Sequence, residues 1–366
     1  MKFLVITFAP LLKIEDHYFS YSPYVKEMEI WFKYANEVGF CCPTYYSGKD
    51  LLINAFSSSL FKIYSVPELN ANDILHPYKI LKSIIVLYRS MKWADHIHLR
   101  CPGNICLLGC FVQILFPHKK KTAKYASNWD WNSHQPWSYR LQQRILRNTF
   151  LTRNMTALVY GDWPDKTNNI KPFFTASYSE KDRIPVTKRP LSEGVKLAFV
   201  GTLTKNKSPL TCLEVLRELT ERGINVSLTF CGEGPEREIL AKYIADWRLE
   251  SRVKLLGNVD AETVKQVLIE SHFLIFISKS EGWPKAVSEA MWWGCLPITT
   301  PVSCVPWMLD NGLRGELVNG NINEIALLIG KYIYDQNYFD LKSCNAMKWA
   351  REYTMEKFEE EIKKLI

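Results

Sequence analysis

Two glutamates, Glu281 and Glu289, stand eight residues apart in the segment Ser278-Lys-Ser-Glu281-Gly-Trp-Pro-Lys-Ala-Val-Ser-Glu289-Ala-Met-Trp-Trp-Gly294. Pro284 suits the first position of a helix and Gly294 the position just past its end. Glu281 then lies in a loop outside the helix N-terminus. Glu289 lies inside the helix, ~7–8 Å further along the axis at ~1.5 Å rise per residue. The first turn offers unpaired N–H groups and the positive end of the helix dipole. This suits a phosphate flanked by two hydroxyl-rich groups, because ionised carboxylates accept hydroxyl protons. A nucleotide sugar, with ribose, diphosphate and sugar in line, has that layout.

A cation completes the pattern. In Phe199-Val-Gly-Thr-Leu-Thr-Lys-Asn-Lys207 a strand runs into a loop that ends on Lys207. An ammonium there would stabilise charge building on a departing phosphate. The alternative is a surface lysine at a helix start, where the dipole disfavours it. No glycine directly precedes Lys207, so this is not a Walker loop. For Glu281 and Glu289 the plain alternatives are a loop charge and a solvated helix residue. A glycosidase pair is disfavoured, since those carboxylates face each other across a bond, ~5–9 Å apart, usually from separate elements. Gly232-Glu233-Gly234-Pro235 either brings backbone close to a ligand or makes an ordinary strand-to-helix turn.

The elements that must hold these residues read as alternating strands and helices. The run 272–278 is short and apolar, of the kind parallel sheets bury. Further strands are expected over 196–201, 225–232, 252–257, 296–300 and 315–318. A helix opens at Ser208-Pro209 and closes at Gly223, with Leu213, Leu216 and Leu219 as its apolar stripe. Such alternation predicts a doubly wound parallel sheet, which binds ligands at the carboxyl ends of its strands. The N-terminal half is less regular, with strands expected over 3–8, 61–66, 96–100 and 122–127. The polar stretch 175–194, with Pro185 and Pro190, reads as a linker.

The segment from Ser278 to Gly294 resembles the Glu-x7-Glu signature of retaining glycosyltransferases of family 4. Three more motifs follow that family's order: the Gly201–Lys207 loop, the Gly232–Pro235 turn, and Val253-Lys-Leu255-Leu-Gly257, which resembles the strand passing the nucleotide base. The match extends across the C-terminal half, and the N-terminal half resembles the family only loosely. The resemblance implies the GT-B fold, with two Rossmann-like domains facing across a cleft. An acceptor domain over 1–187 and a donor domain over 188–349 are expected, with a final helix near 350–366 packing back on the first. It implies a hexosyltransferase-like, metal-independent transfer with retention. By this likeness Glu281 contacts the donor sugar, Lys207 clamps the diphosphate and Glu289 binds the ribose. Gly201, Thr202, Gly232, Glu233, Gly234, Leu255, Gly282, Trp283, Pro284, Lys285, Ala286 and Val287 line the donor. Relatives often carry arginine where Thr202 stands, so half of the usual cationic clamp is missing. Asp95-His-Ile-His98-Leu-Arg100-Cys-Pro102 resembles a family strand often reading His-x-His-x-Pro, with Arg100 in the second histidine's place. His98 and Arg100 are candidate cleft contacts, with core histidines as the alternative. Asn128, in Asn128-Trp-Asp-Trp131, is a candidate acceptor contact. The glycine-rich first loop of many relatives is replaced by 13–18, either acceptor-facing or merely solvated.

Residues 1–190 hold 25 of the 46 Lys and Arg but 14 of the 38 Asp and Glu, a net of +11, while the rest carries −3. A basic first half suits an anionic partner, whether a phosphorylated acceptor or a membrane surface, or is simply solvated. Its densest cluster is His118-Lys-Lys-Lys121 and Lys124 with Arg140, Arg144 and Arg147. No Cys-x-x-Cys occurs among ten cysteines, which read as reduced and buried in a cytoplasmic protein. Residues 1–10 hold too short an apolar core for a signal peptide and read as a first strand. The apolar stretch 104–116 is below the ~18 residues of a spanning helix. No cofactor, metal or nucleic-acid partner is expected, and a glycan or lipid-linked acceptor is. Two other classes stay open: a non-catalytic nucleotide-sugar-binding module, and another enzyme such as an epimerase. The latter needs a Gly-x-Gly-x-x-Gly after a strand, and none is present.

Overall fold

The computed structural model describes residues 1–45, 53–70, 77–164 and 166–366. These form two compact units, 1–174 with 358–366, and 175–357. The division comes before the polar stretch 175–194 rather than at 187/188, because Thr175, Ser177 and Tyr178 pack beside helical residues of the second unit.

Unit 1 begins β1 (Lys2–Ile6), β2 (Leu11–Ile14), β3 (His17–Tyr21), α1 (Ser22–Phe32), β4 (Glu37–Cys42), β5 (Thr44–Tyr45), β6 (Ile53–Ala55) and β7 (Phe61–Ser65). It continues α2 (Pro77–Trp93), β8 (His96–Cys101), α3 (Asn104–Val112), β9 (Lys120–Tyr125), α4 (Trp137–Arg147), β10 (Met155–Tyr160) and β11 (Ile170–Phe173). Seven of the strands make a parallel sheet in the order β11-β10-β9-β8-β1-β4-β7. Inside it, between β8 and β4, lies β1, whose Phe3, Leu4, Val5 and Ile6 are fully buried, as a strand covered on both faces requires. The stretch 13–18 is a hairpin instead of an open loop: β2 and β3 pair antiparallel, and Glu15 turns the chain at φ 52°.

Unit 2 runs β12 (Val195–Val200), α5 (Pro209–Glu221), β13 (Val226–Cys231), α6 (Arg237–Asp246), β14 (Val253–Leu255), α7 (Ala261–Glu270), β15 (Phe273–Phe276) and α8 (Lys285–Trp292). Then come β16 (Leu296–Thr299), α9 (Val305–Met308), β17 (Glu316–Leu317), α10 (Ile322–Tyr334), α11 (Gln336–Ala350) and the start of α12 (Met355–Lys363). The parallel order is β14-β13-β12-β15-β16-β17. Leu213, Leu216 and Leu219 of α5 pack into its core beside Phe199, Phe230 and Phe273. The order reverses between β12 and β15, the switch point at which doubly wound sheets bind ligands beyond the carboxyl ends of their strands.

The basic cluster of unit 1 is largely turned inward, contrary to an outward-facing patch. Lys119 Nζ donates to the carbonyls of Met91 and Lys92 at 2.8 Å, closing the end of α2. Lys121 is buried, donates to the Phe116 carbonyl at 2.9 Å, and is pushed down by burial to about 8. Lys124 pairs with Glu27 at 2.9 Å and lies 5.3–5.7 Å from the ring centres of Tyr160, Phe173 and Phe358. Arg140, Arg144 and Arg147 do share one face of α4, where they lie 5.4–6.0 Å from the Trp131 ring.

Candidate functional site

The switch point of unit 2 is built by two loops that hold each other. After β12 the chain turns at Gly201 (φ 144°) and reaches Lys207; after β15 it runs from Ser278 to Glu281. Lys207 Nζ donates to Glu281 Oε1 at 2.8 Å, and the Ser278 hydroxyl donates to the same oxygen at 2.7 Å. The two charged side chains are only 19% and 14% exposed, and the ammonium lies 4.8 Å from the Phe276 ring centre. Asn206 crosses between the loops, donating to the Ser278 hydroxyl at 3.2 Å and to the Ser280 carbonyl at 3.0 Å. Thus Lys207 and Glu281, 74 residues apart in sequence, form one unit. Sequence spacing carries no sign that these two side chains are partners.

The glycine turns serve this packing. A Cβ on Gly232 would lie 1.9 Å from the Gly201 carbonyl oxygen, and one on Gly234 would lie 2.4 Å from that of Leu203. Backbone bonds tie the loops further, with Leu203 N donating to Glu233 O at 2.9 Å and Gly232 N to Gly257 O at 2.8 Å. These glycines therefore let three loops lie side by side. Glu233 pairs with Arg237 at 2.6 Å, Thr202 is exposed, and Leu255 packs partly against the core.

Helix α8 starts at Lys285, with Pro284 one place earlier than expected at the N-cap and no side-chain cap. Its first N–H groups are thus left for another acceptor. Gly282 bounds the loop before it, while Trp283, Ala286 and Val287 are buried. Glu289 lies in the second turn of α8, away from the Lys207–Glu281 pair in its bonding. It accepts from the Ser177 hydroxyl at 2.6 Å, in a small polar and aromatic pocket with Tyr178, Trp283, Trp292 and Tyr353. Burial pushes its carboxyl up, against the pull of Ser177 and Lys285. Ser177 was missed by sequence reading, because it stands in a stretch that reads only as linker.

In unit 1 the candidate cleft residues have other duties. His98 is fully buried, with its ring 4.5 Å from that of Trp31 and 5.8 Å from that of Phe3. His98 Nδ1 and His96 Nε2 share the Thr122 hydroxyl at 2.8 and 2.9 Å. Burial holds His98 well below the ordinary histidine range, so it is a neutral core residue and not a cleft contact. Arg100 pairs with Glu27 at 2.6 Å and lies 4.8 Å over the Tyr24 ring. Burial pushes the Glu27 carboxyl up, but Arg100 and Lys124 more than offset this and hold it far below the usual range. Asn128 is buried and turns its own loop, accepting from the Asp130 N–H at 2.9 Å. Among the described residues no cluster of three His, Cys, Asp or Glu could hold a metal ion.

Residues 181–350 match the family model of glycosyl transferases group 1. The chain is 26% identical over 168 residues to the phosphatidylinositol N-acetylglucosaminyltransferase GPI3 subunit of Saccharomyces cerevisiae, covering 45% of this chain and 37% of that protein. It is 28% identical over 146 residues to the amylovoran biosynthesis glycosyltransferase AmsK of Erwinia amylovora, covering 38% and 36%. The matches thus span little more than a third of each curated relative. The crystal structure of Anabaena HepE in complex with UDP and glucose superposes with a TM-score of 0.67 at 14% identity, covering 100% of this chain and 98% of that one. Two Rossmann-like units with parallel sheets and this likeness establish the GT-B fold, and within it residues 181–350 carry the likeness to glycosyl transferases group 1.

Proposed function

We propose that the protein is a retaining, metal-independent glycosyltransferase of family 4. It moves a sugar from a nucleoside-diphosphate sugar to a glycan or lipid-linked acceptor in the synthesis of a cell-surface polysaccharide or glycolipid, at the cytoplasmic face of a membrane. The observation that carries this reading is the Lys207–Glu281 pair beside the uncapped start of α8, at the point where the sheet order reverses. Scission of the glycosidic bond leaves charge on the diphosphate. Lys207 and the first N–H groups of α8 stabilise that charge without rearranging at the moment of reaction. Glu281 keeps the ammonium oriented and accepts from sugar hydroxyls. Glu289 accepts from the ribose, exchanging the Ser177 hydroxyl for a ligand hydroxyl.

The names of the relatives support polysaccharide or glycolipid synthesis, and the UDP in HepE makes uridine diphosphate sugars the first donors to try. A thermal-shift screen of UDP and GDP sugars identifies the donor, since a ligand at a hundred times its Kd adds about 2.7 kcal/mol to stability. Release of nucleoside diphosphate is then followed with and without EDTA. Turnover that survives chelation is expected. Binding without any turnover would favour the non-catalytic module, and loss of activity restored by a divalent ion would overturn the metal-independent mechanism.

A further inference from the structure

Helix α2 of unit 1 is built the wrong way round for a water-facing helix. Its inward face carries Ser83 and Ser90 beside Leu87 and Met91, and both serine hydroxyls turn back to their own helix, on the carbonyls of Lys79 and Leu87. Its outward face carries Tyr78, Leu81, Ile85 and Tyr88, all exposed, with Leu81 at 59%. Their spacing of three, four and three residues puts them on one stripe. An ordinary surface helix places polar residues there. Helix α3 packs between α2 and α4, and the α3 segment continues the surface with Phe111 and, just beyond its end, Leu115, which is 65% exposed. The Tyr88 and Phe116 rings, 5.3 Å apart, join the two helices at that end.

The charge on this layer has one sign. Across α2, α3 and α4 the sequence has seven Lys and Arg and no Asp or Glu. On α2 the exposed Lys82, Arg89 and Lys92 flank the apolar stripe. A second copy of the chain is a poor occupant, because an isologous contact would set these cations against themselves. A surface with apolar side chains to bury and a wide field of negative charge satisfies both features.

We propose that the outer face of the α2–α3–α4 layer docks on an anionic lipid bilayer, with the Tyr78–Leu81–Ile85–Tyr88 stripe entering the headgroup region and the flanking Lys and Arg meeting lipid phosphates. The inward-turned lysines of 119–124 take no part. Docking is independent of the donor site, and rests on the proposed glycosyltransferase reading only for its purpose, which is access to a lipid-linked acceptor.

The test is co-sedimentation of the full chain with phosphatidylcholine vesicles, with and without phosphatidylglycerol. Binding to the anionic vesicles alone, weakening as salt shortens the ~10 Å Debye length of 0.1 M solution, is expected. The double variant Leu81→Asp, Ile85→Asp should abolish binding, and the triple variant Lys82→Gln, Arg89→Gln, Lys92→Gln should weaken it roughly a hundredfold. All five side chains are exposed, so melting temperature and nucleoside-diphosphate release in solution should stay at wild-type values. Equal binding to both vesicle types, no binding to either, or wild-type binding by both variants would overturn the proposal. So would sedimentation equilibrium showing a dimer that the Leu81→Asp, Ile85→Asp variant dissolves. Vesicle binding without turnover of any nucleotide sugar would instead overturn the enzymatic reading and leave the docking surface standing.

Discussion

Replacing Lys207 by methionine separates the two tasks assigned to its ammonium. In the free protein it donates at 2.8 Å to Glu281, and both side chains are mostly buried. Methionine keeps the aliphatic stem against Phe276 but leaves Glu281 with the Ser278 hydroxyl as its remaining side-chain donor among the described residues. A charge-assisted hydrogen bond of this kind contributes about 1.5–3 kcal/mol. At roughly 2–4 °C per kcal/mol for a unit of this size, the melting temperature should fall by about 3–12 °C. If the ammonium also clamps the diphosphate, affinity for the nucleoside diphosphate should drop about 10- to 150-fold, the same energy expressed as binding. Turnover should drop further, about 10²–10³-fold, because the departing phosphate gathers charge in the transition state.

Glu281→Gln is the control. Its amide oxygen can still accept from both Lys207 and Ser278, so stability should change little while sugar contact is weakened. Calorimetry gives the melting temperatures, titration with nucleoside diphosphate the affinities, and initial rates the kcat. A Lys207→Met protein that melts lower yet binds and turns over as wild type would refute the clamp and leave a structural ion pair.

Three further outcomes are expected. Glu289→Gln should melt at or above the wild-type temperature at pH 7 while losing nucleotide affinity. Burial raises the carboxyl above its unfolded value, so its contribution is present below ordinary glutamate pKa and lost as pH rises through the folded pKa; a lower melting point would contradict this. Glu27→Gln should destabilise unit 1 by about 3–5 kcal/mol in chemical denaturation, because Arg100 and Lys124 lose their shared buried carboxylate; a change under about 1 kcal/mol would show the cluster to be incidental. Acid should unfold the protein early, since burial holds His96 near about 3, His272 near about 4 and His98 well below the ordinary histidine range. Their folded pKa values are depressed, so stability present above about 6.5 is lost as pH falls, by up to ~1.4 kcal/mol per pH unit for each group, and a flat melting profile from pH 6.5 to 4.5 would contradict it.

Unit 2 was legible because its signals are local. Buried strands end in glycine turns, and Pro284 and Gly294 mark where α8 begins and stops, with Gly294 in the left-handed region at φ 67°. Unit 1 was less so, for a physical reason. Its assignments depend on which partner a polar side chain meets, and those partners are distant: Arg100 meets Glu27, His96 and His98 meet Thr122, and Lys119 meets the end of α2. A lysine-rich run in sequence has a charge but no direction. Here strand β9 alternates Lys121 and Ala123 to one face with Thr122 and Lys124 to the other, so the cations are drawn into helix ends and an aromatic cage. Helix α2 carries the opposite ambiguity, since its apolar residues would suit a core equally well, yet its serines lie on the inward face.

What remains after packing is accounted for is the residue set that packing does not favour. Trp283, Val287 and the leucines of α5 are where an apolar core would want them. Glu289 is not: it keeps a carboxylate in a pocket that raises its pKa, with a serine hydroxyl where a structural pair would have placed a cation. The start of α8 is likewise left without a side-chain cap, although Ser, Thr or Asp at that place typically adds ~1 kcal/mol. Lys207 and Glu281 satisfy each other, yet they do so at the carboxyl ends of the two strands where the sheet order reverses, with some solvent access left to both. Local rules are broken or held loosely at three places in one half of the chain, all on loops leaving adjacent strands or on the helix that follows them. Natural sequences tolerate such departures where a ligand supplies the missing partner. A diphosphate for the helix start and hydroxyls for the two glutamates would complete all three.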